Sequence, residues 1–146
     1  MISLRLVALL FVLLGATRLL AEPVHEKGSA PLRIAHGEEV NLTDYLVPGK
    51  TVIFDFTSEY CPPCRGYDGP LKLLHQRRDD LVVVQVDINR PGVKKIDWQS
   101  PTAKEFQLRS IPRFKIYGPD GTVVAEDTGS RDAPARHQVD RWIKEL

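Results

Sequence analysis

Residues 53–64 read IFDFTSEYCPPC, and the fold turns on how that stretch divides. Its first half belongs to a β-branched and aromatic run, residues 51–57, with almost no polar alternation. That is the pattern of a strand buried on both faces, the kind found inside parallel sheets. Its second half holds both cysteines of the chain, Cys61 and Cys64, with Pro62 and Pro63 between them. The pair therefore sits where a buried strand ends.

Outward from this centre the elements alternate. Residues 65–80 place Tyr67, Leu71 and Leu74 on one helical stripe with charges elsewhere. Residues 81–88, LVVVQVDI, predict a second buried strand. Strand, helix and strand with short links make a βαβ unit, which requires a parallel pair and a right-handed crossover. Upstream, residues 32–40 predict a short edge strand. Asn41, three before Asp44, suits a helix N-cap with an acid in the first turn, and with Thr43 it also forms a glycosylation sequon. Downstream, Ser100 predicts an N-cap with Pro101 at the first helical position. Residues 113–127 read as a hairpin turning at Pro119, Asp120 and Gly121. Residues 133–146 predict an amphipathic helix with Val139, Trp142, Ile143 and Leu146 inward. The sum is an α/β domain, a central mixed β-sheet flanked by helices on both faces.

The bulk numbers agree with one such domain. The chain has 146 residues, 42% of them apolar and 27% charged, which is globular composition. A formal net charge of +1 leaves no basic excess for a large nucleic-acid footprint, and a monomer is expected. The start differs from the rest. Arg5 precedes an unbroken apolar run, residues 6–16, too short to span a bilayer comfortably, which takes ~20 residues. A secretory signal is expected over residues 1–21, cleaved after Ala21 or kept as an uncleaved anchor. Residues 22–31 are then a flexible tether and residues 32–146 the folded domain. Export to the periplasm or another extracytoplasmic space would place the cysteines where thiols pair or meet redox partners.

Three chemistries compete for a Cys-x-x-Cys pair. A structural metal needs four ligands, but His25, His36, His75 and His137 lie far apart without paired spacing, so no metal is expected. A passive disulfide across so short a loop would stabilise weakly, because it removes little entropy from the unfolded chain. Dithiol exchange fits the local physics better. At the start of a helix, unpaired N–H groups and the positive end of the macrodipole favour a Cys61 thiolate. Cys64, one turn on, is covered and available as the resolving thiol. Pro62 and Pro63 lack N–H groups that a first turn does not use.

From about residue 40 to residue 146 the chain resembles the thioredoxin family, and three features carry the likeness. EYCPPC is similar to the family's Trp-Cys-Gly-Pro-Cys motif, with Tyr60 for Trp and Pro62 for Gly. Asp55 stands six residues before Cys61, where thioredoxins keep a buried acid. RSIPRF places Ile111 and Pro112 where the family has a cis-proline loop facing the cysteines. The resemblance implies a thioredoxin-like fold and thiol–disulfide exchange with no cofactor beyond the cysteine pair. Cys61 is then the nucleophile, Cys64 the resolving thiol and Asp55 a proton relay. Pro112 shapes the loop, and Tyr60, Pro62, Pro63 and Ile111 form the client-binding edge. Asp55 has a blander reading, an acid turned to solvent or bonded to backbone, and Pro112 one as a plain loop proline. Trp98 is expected to pack or to sit on the rim.

The departures from the family pattern are specific. Pro70 follows Cys64 by six residues where thioredoxins have a helix-bending proline after five, and Gly69 fills that place. A lysine that partners the buried acid in many thioredoxins is expected to be replaced by Val83. Residues 89–99 form a longer connection than the minimal fold needs, beside the active edge, where it would choose partners. With no histidine between the cysteines, the resemblance implies a reductase acting on client disulfides and fed by a membrane electron-transfer partner. An oxidase or isomerase, and a non-catalytic binding module on the same fold, stay open alternatives.

Overall fold

The computed structural model describes residues 26–129 and 131–146. The expected leader, residues 1–21, and the first part of the tether, residues 22–25, lie outside the described residues. In chain order the elements are β1 (Leu32–Ile34), a 3-10 turn (Leu42–Tyr45), β2 (Thr51–Thr57), α1 (Pro62–Arg77), β3 (Leu81–Asp87), α2 (Pro101–Glu105), β4 (Arg113–Tyr117), β5 (Val123–Glu126) and α3 (Pro134–Lys144). The strands form one sheet in the order β1-β3-β2-β4-β5. β2 pairs in parallel with β3 and antiparallel with β4, so the mixed sheet is centred on the strand that carries Asp55. β1 lies at the edge beside β3, and β4 and β5 close as the hairpin.

The run from Thr51 to Thr57 becomes a central strand because it presents apolar side chains to both faces. Val52, Phe54 and Phe56 face one core, with Leu42 of the 3-10 turn and Ala103 of α2. Ile53 faces the other, with Leu71 and Leu74 of α1, Phe114 of β4 and Val139 of α3. Helical segments therefore cover both faces. Phe54, Phe56 and Phe114 are fully buried, worth about 1.5–3 kcal/mol each in apolar surface removed from water. By alternation Asp55 shares the face of Ile53, beneath α1.

The capping expectations hold: the Asn41 side chain accepts from Thr43 N, and that of Ser100 from Ala103 N. α1 runs unbroken through Pro70, whose missing N–H removes one ladder bond. α2 is a short helix. Leu146, expected inward, is instead exposed because α3 ends at Lys144 and leaves it past the C-cap. Residues 27–29, from the stretch read as a tether, are bonded to the end of α1. Lys27 Nζ donates to Arg78 O at 2.6 Å, and His75 Nε2 meets Gly28 O at 2.8 Å. The other ring nitrogen of His75, Nδ1, accepts from Val83 N at 3.0 Å, so the imidazole is neutral with its proton on Nε2. Burial pushes the His75 pKa down in the same sense.

Candidate active site

β2 ends at Thr57, and a turn over residues 58–61 brings the chain into α1. Cys61 N donates to Ser58 O at 3.1 Å, and Cys61 is the N-cap of the helix, its carbonyl accepting from Arg65 N at 3.2 Å. Its Sγ accepts from Cys64 N at 3.2 Å. Pro62 and Pro63 fill the first two helical positions, where no intrahelical donor is needed. Cys61 and Cys64 are joined by a disulfide with Cα atoms 5.3 Å apart. The N–H already aimed at Cys61 Sγ, with the helix end behind it, would stabilise a thiolate there on reduction. Both sulfurs are covered in the oxidised pair: Cys61 is 2% exposed and Cys64 0%.

Opposite the pair stands the Ile111–Pro112 loop. Its peptide bond is cis, and the Ile111 carbonyl lies 3.8 Å from Cys61 Sγ. Pro112 is buried, while Ile111 and Tyr60 are half-buried and Pro62 and Pro63 exposed, so these four form the rim of the disulfide. The Pro112 carbonyl accepts from Arg136 Nη2 of α3, which ties the loop to the helix behind it.

Asp55 is wholly buried, and neither carboxyl oxygen has a hydrogen-bond partner. Burial first, and then the nearby Asp68 charge, raise its pKa to about 7. The residue opposite Asp55 on β3 is Gln85, not Val83. Val83 stands across from Ile53, one pleat away, so the lysine-replacing position was placed two residues too early. The amide of Gln85 pulls the Asp55 pKa down, against burial and Asp68, while its Nε2 donates to Asp68 Oδ1 at 3.0 Å. Gln85 was legible in principle, as the one polar residue inside the apolar run 81–86. Beside Asp55, Tyr67 packs edge-on against Phe114 at 5.1 Å between ring centres and donates its hydroxyl to Asp140 at 2.8 Å. Burial and then that bond push the Tyr67 hydroxyl up to about 12. Tyr67 was read only for its apolar ring.

Other buried polar groups frame the site without a sequence signal. Asp127, 1% exposed, accepts from Phe114 N at 2.9 Å and from Arg136 N at 3.1 Å. It thereby caps α3, whose own N-cap residue Ala133 has no side chain to do so. Ser58 and Asn89 meet at 2.7 Å on the other side of the turn. Trp98 is 37% exposed. Among the described residues, no group of three or more His, Cys, Asp or Glu is placed to hold a metal ion.

Comparison with known proteins gives the same frame. The sequence model of the family described as Thioredoxin matches residues 38–144. The chloroplastic thioredoxin F1 of Arabidopsis thaliana is 34% identical over 82 residues, 56% of this chain and 42% of that one. A thioredoxin of Mycolicibacterium smegmatis is 30% identical over 94 residues, 64% of this chain and 78% of that one. A chain of the solved complex of ferredoxin:thioredoxin reductase with thioredoxin f2 superposes with a TM-score of 0.51 at 25% identity, covering 80% of this chain and 99% of that one. The chain spans about two-fifths of the length of the chloroplastic relatives it matches.

Proposed function

The chain belongs to the thioredoxin family, and from that premise we propose that it is a thiol–disulfide oxidoreductase working on protein disulfides. The observation that carries this reading is the Cys61–Cys64 disulfide at the N-terminus of α1, facing the Ile111–Pro112 loop. In the reducing direction the Cys61 thiolate attacks a client disulfide, and one client sulfur leaves as a thiolate while a mixed disulfide forms. Cys64 then attacks Cys61 Sγ, the bond to the client breaks, and the client departs as a dithiol. Two electrons have moved from the protein to the client, and Cys61–Cys64 is again a disulfide.

Cys64 must lose a proton to attack. Asp55, uncharged or charged with near-equal ease around neutrality, is suited to take that proton as a carboxylate and give it back in the reverse direction. The half-buried Ile111 offers an extended backbone edge for a client segment, in the manner of strand addition. Tyr60, Pro62 and Pro63 would flank that segment. The chemistry needs no group beyond the two cysteines.

The reducing direction is supported by the absence of a histidine between the cysteines. A reductase needs an electron donor, and one relative is solved together with a reductase. The cationic start and the apolar run at residues 6–16 support export to the periplasm or a similar space, where the donor would be a membrane protein. The deciding experiment is the redox potential of the pair in glutathione or dithiothreitol buffers. A value near ~−270 mV is expected, whereas one near ~−120 mV would reverse the direction. A pair that never equilibrates would leave a binding module. Cys61→Ser should abolish exchange, and Cys64→Ser should accumulate mixed disulfides through Cys61. Mixed disulfides that form only when Cys64 is retained would overturn the assignment of nucleophile.

A further inference from the structure

The longer connection at residues 89–99 is not slack. It folds around the buried side chain of Asn89, which is 6% exposed. Asn89 Oδ1 accepts from Ser58 Oγ at 2.7 Å and from Asp97 N at 3.2 Å. Its Nδ2 donates to Val93 O at 3.0 Å and to Lys95 O at 2.6 Å. Both acceptor positions and both donor positions of the amide are thus in use, and a flipped amide would set like against like at Asp97 N, Val93 O and Lys95 O. Arg90 closes the loop from outside with two bonds to the buried Asp97 carboxylate, Nε–Oδ2 at 2.7 Å and Nη2–Oδ1 at 3.1 Å.

The other end of this network reaches the cysteines. Ser58 is 1% exposed, and its Oγ accepts from Tyr60 N at 3.2 Å while its carbonyl accepts from Cys61 N. A serine hydroxyl has one proton. Because Asn89 Oδ1 takes it, the lone pairs of Ser58 Oγ face Tyr60 N, and the turn over residues 58–61 is held from its side chain as well as its backbone. Asn89 thus fixes a rotor that fixes the turn that delivers Cys61 to the helix N-terminus.

We propose that Asn89 is a positioning residue for Cys61, acting through the Ser58 hydroxyl, and that the 89–99 loop is built to hold it. This rests on the exchange reading given above. Without the Ser58 hydroxyl, Tyr60 N loses its acceptor and the turn loosens. The Cys61 thiolate is then less well placed at the N–H groups of the helix end. A less stable thiolate means a less stable dithiol, so the disulfide is favoured and the potential becomes more negative.

The test uses the full chain carrying Ser58→Ala, Asn89→Leu, both together, and Ser58→Thr. Each is equilibrated with glutathione redox buffers, and the Cys61 thiolate is titrated by its ultraviolet absorbance. Ser58→Ala and Asn89→Leu should each shift the equilibrium about three- to tenfold toward the disulfide, about 15–30 mV, and raise the thiolate pKa. The double variant should go no further than Ser58→Ala, since the two act in series. Ser58→Thr keeps the hydroxyl and should stay with the parent. A folded Ser58→Ala protein with the parent's equilibrium and thiolate pKa overturns the proposal, and so does a double variant whose shifts add. If Asn89→Leu fails to fold, the Ala and Thr variants at Ser58 decide alone. A parent chain that never exchanges with glutathione would bring down the exchange reading itself, which is a different result.

Discussion

Asp55 and Asn89 are both buried polar residues beside the end of β2, and their surroundings are opposite. Asn89 has a partner for every hydrogen-bonding position of its amide. Asp55 has none for either carboxyl oxygen. A buried polar group with all its partners rigidifies what it touches, because each bond would be lost into a dry interior. A buried carboxyl with none is held in its neutral form by desolvation and can change protonation near neutrality. One arrangement holds atoms still and the other is suited to moving a proton. The turn over residues 58–61 follows β2 and carries Cys61 into α1.

The largest effect follows from the unpartnered member. Folding raises the Asp55 pKa from 3.8 to about 7, so between those values the folded protein binds more protons than the unfolded one. Stability contributed by the neutral carboxyl is therefore complete below pH ~4 and falls as pH rises to ~7, by roughly 4 kcal/mol for a fully buried group. Asp55→Asn removes this dependence while keeping the shape. Urea unfolding of the oxidised chain from pH 4 to pH 8 should show the variant gaining on the parent by about that amount. Parallel curves would mean that Asp55 has a partner in solution, and the contrast with Asn89 would collapse.

The second effect sharpens the comparison by taking a carboxylate with partners. Asp127 is as buried as Asp55 and stands next to the same strand, yet both its oxygens accept backbone N–H groups. Asp127→Ala leaves Phe114 N without its acceptor and strips α3 of its cap. The cost should be about 2–4 kcal/mol. Its sign is opposite to that of Asp55→Asn at neutral pH. A loss below ~0.5 kcal/mol would show that water replaces the carboxylate and that partners do not decide the matter.

What the sequence disclosed follows the same division. Cys61 and Cys64 are legible from their spacing and Asp55 from its place in a buried run, whereas the Ile111–Pro112 dipeptide is marked only by the resemblance to the family. The apolar run at residues 51–57 announces a two-faced strand, while the face of Asp55 comes from the structure. Register between strands is not a local property. The expectation at Val83 therefore fails, and Gln85 stands opposite Asp55 once β2 and β3 are aligned. Asn89 reads as an ordinary loop residue and Asp127 as the last residue of the hairpin, because their partners lie 31 and 13 positions away at Ser58 and Phe114. Chain entropy and burial bring such pairs together only when the whole sheet forms, and no short window of sequence holds both.

The smallest effect isolates burial from partnering. Asp80 makes two bonds to Arg78, Nε–Oδ1 at 2.8 Å and Nη2–Oδ2 at 2.7 Å, and that pairing pulls its pKa down to about 2. Both of its carboxyl oxygens are engaged, as those of Asp127 are. Its side chain is 63% exposed, however, so water and salt already stabilise the separated charges. The Arg78 guanidinium also lies 5.9 Å over the Trp142 ring, so truncating Arg78 would mix two losses. Asp80→Asn removes only the charge. At neutral pH it should cost less than ~1 kcal/mol, shrinking further in high salt. Because the folded pKa is depressed, the parent's small advantage should vanish as pH falls from ~4 toward 2. A loss as large as that expected for Asp127→Ala would mean that geometry alone sets the strength of a charged pair. Asp55 and Asn89 would then differ for a reason other than the exclusion of water.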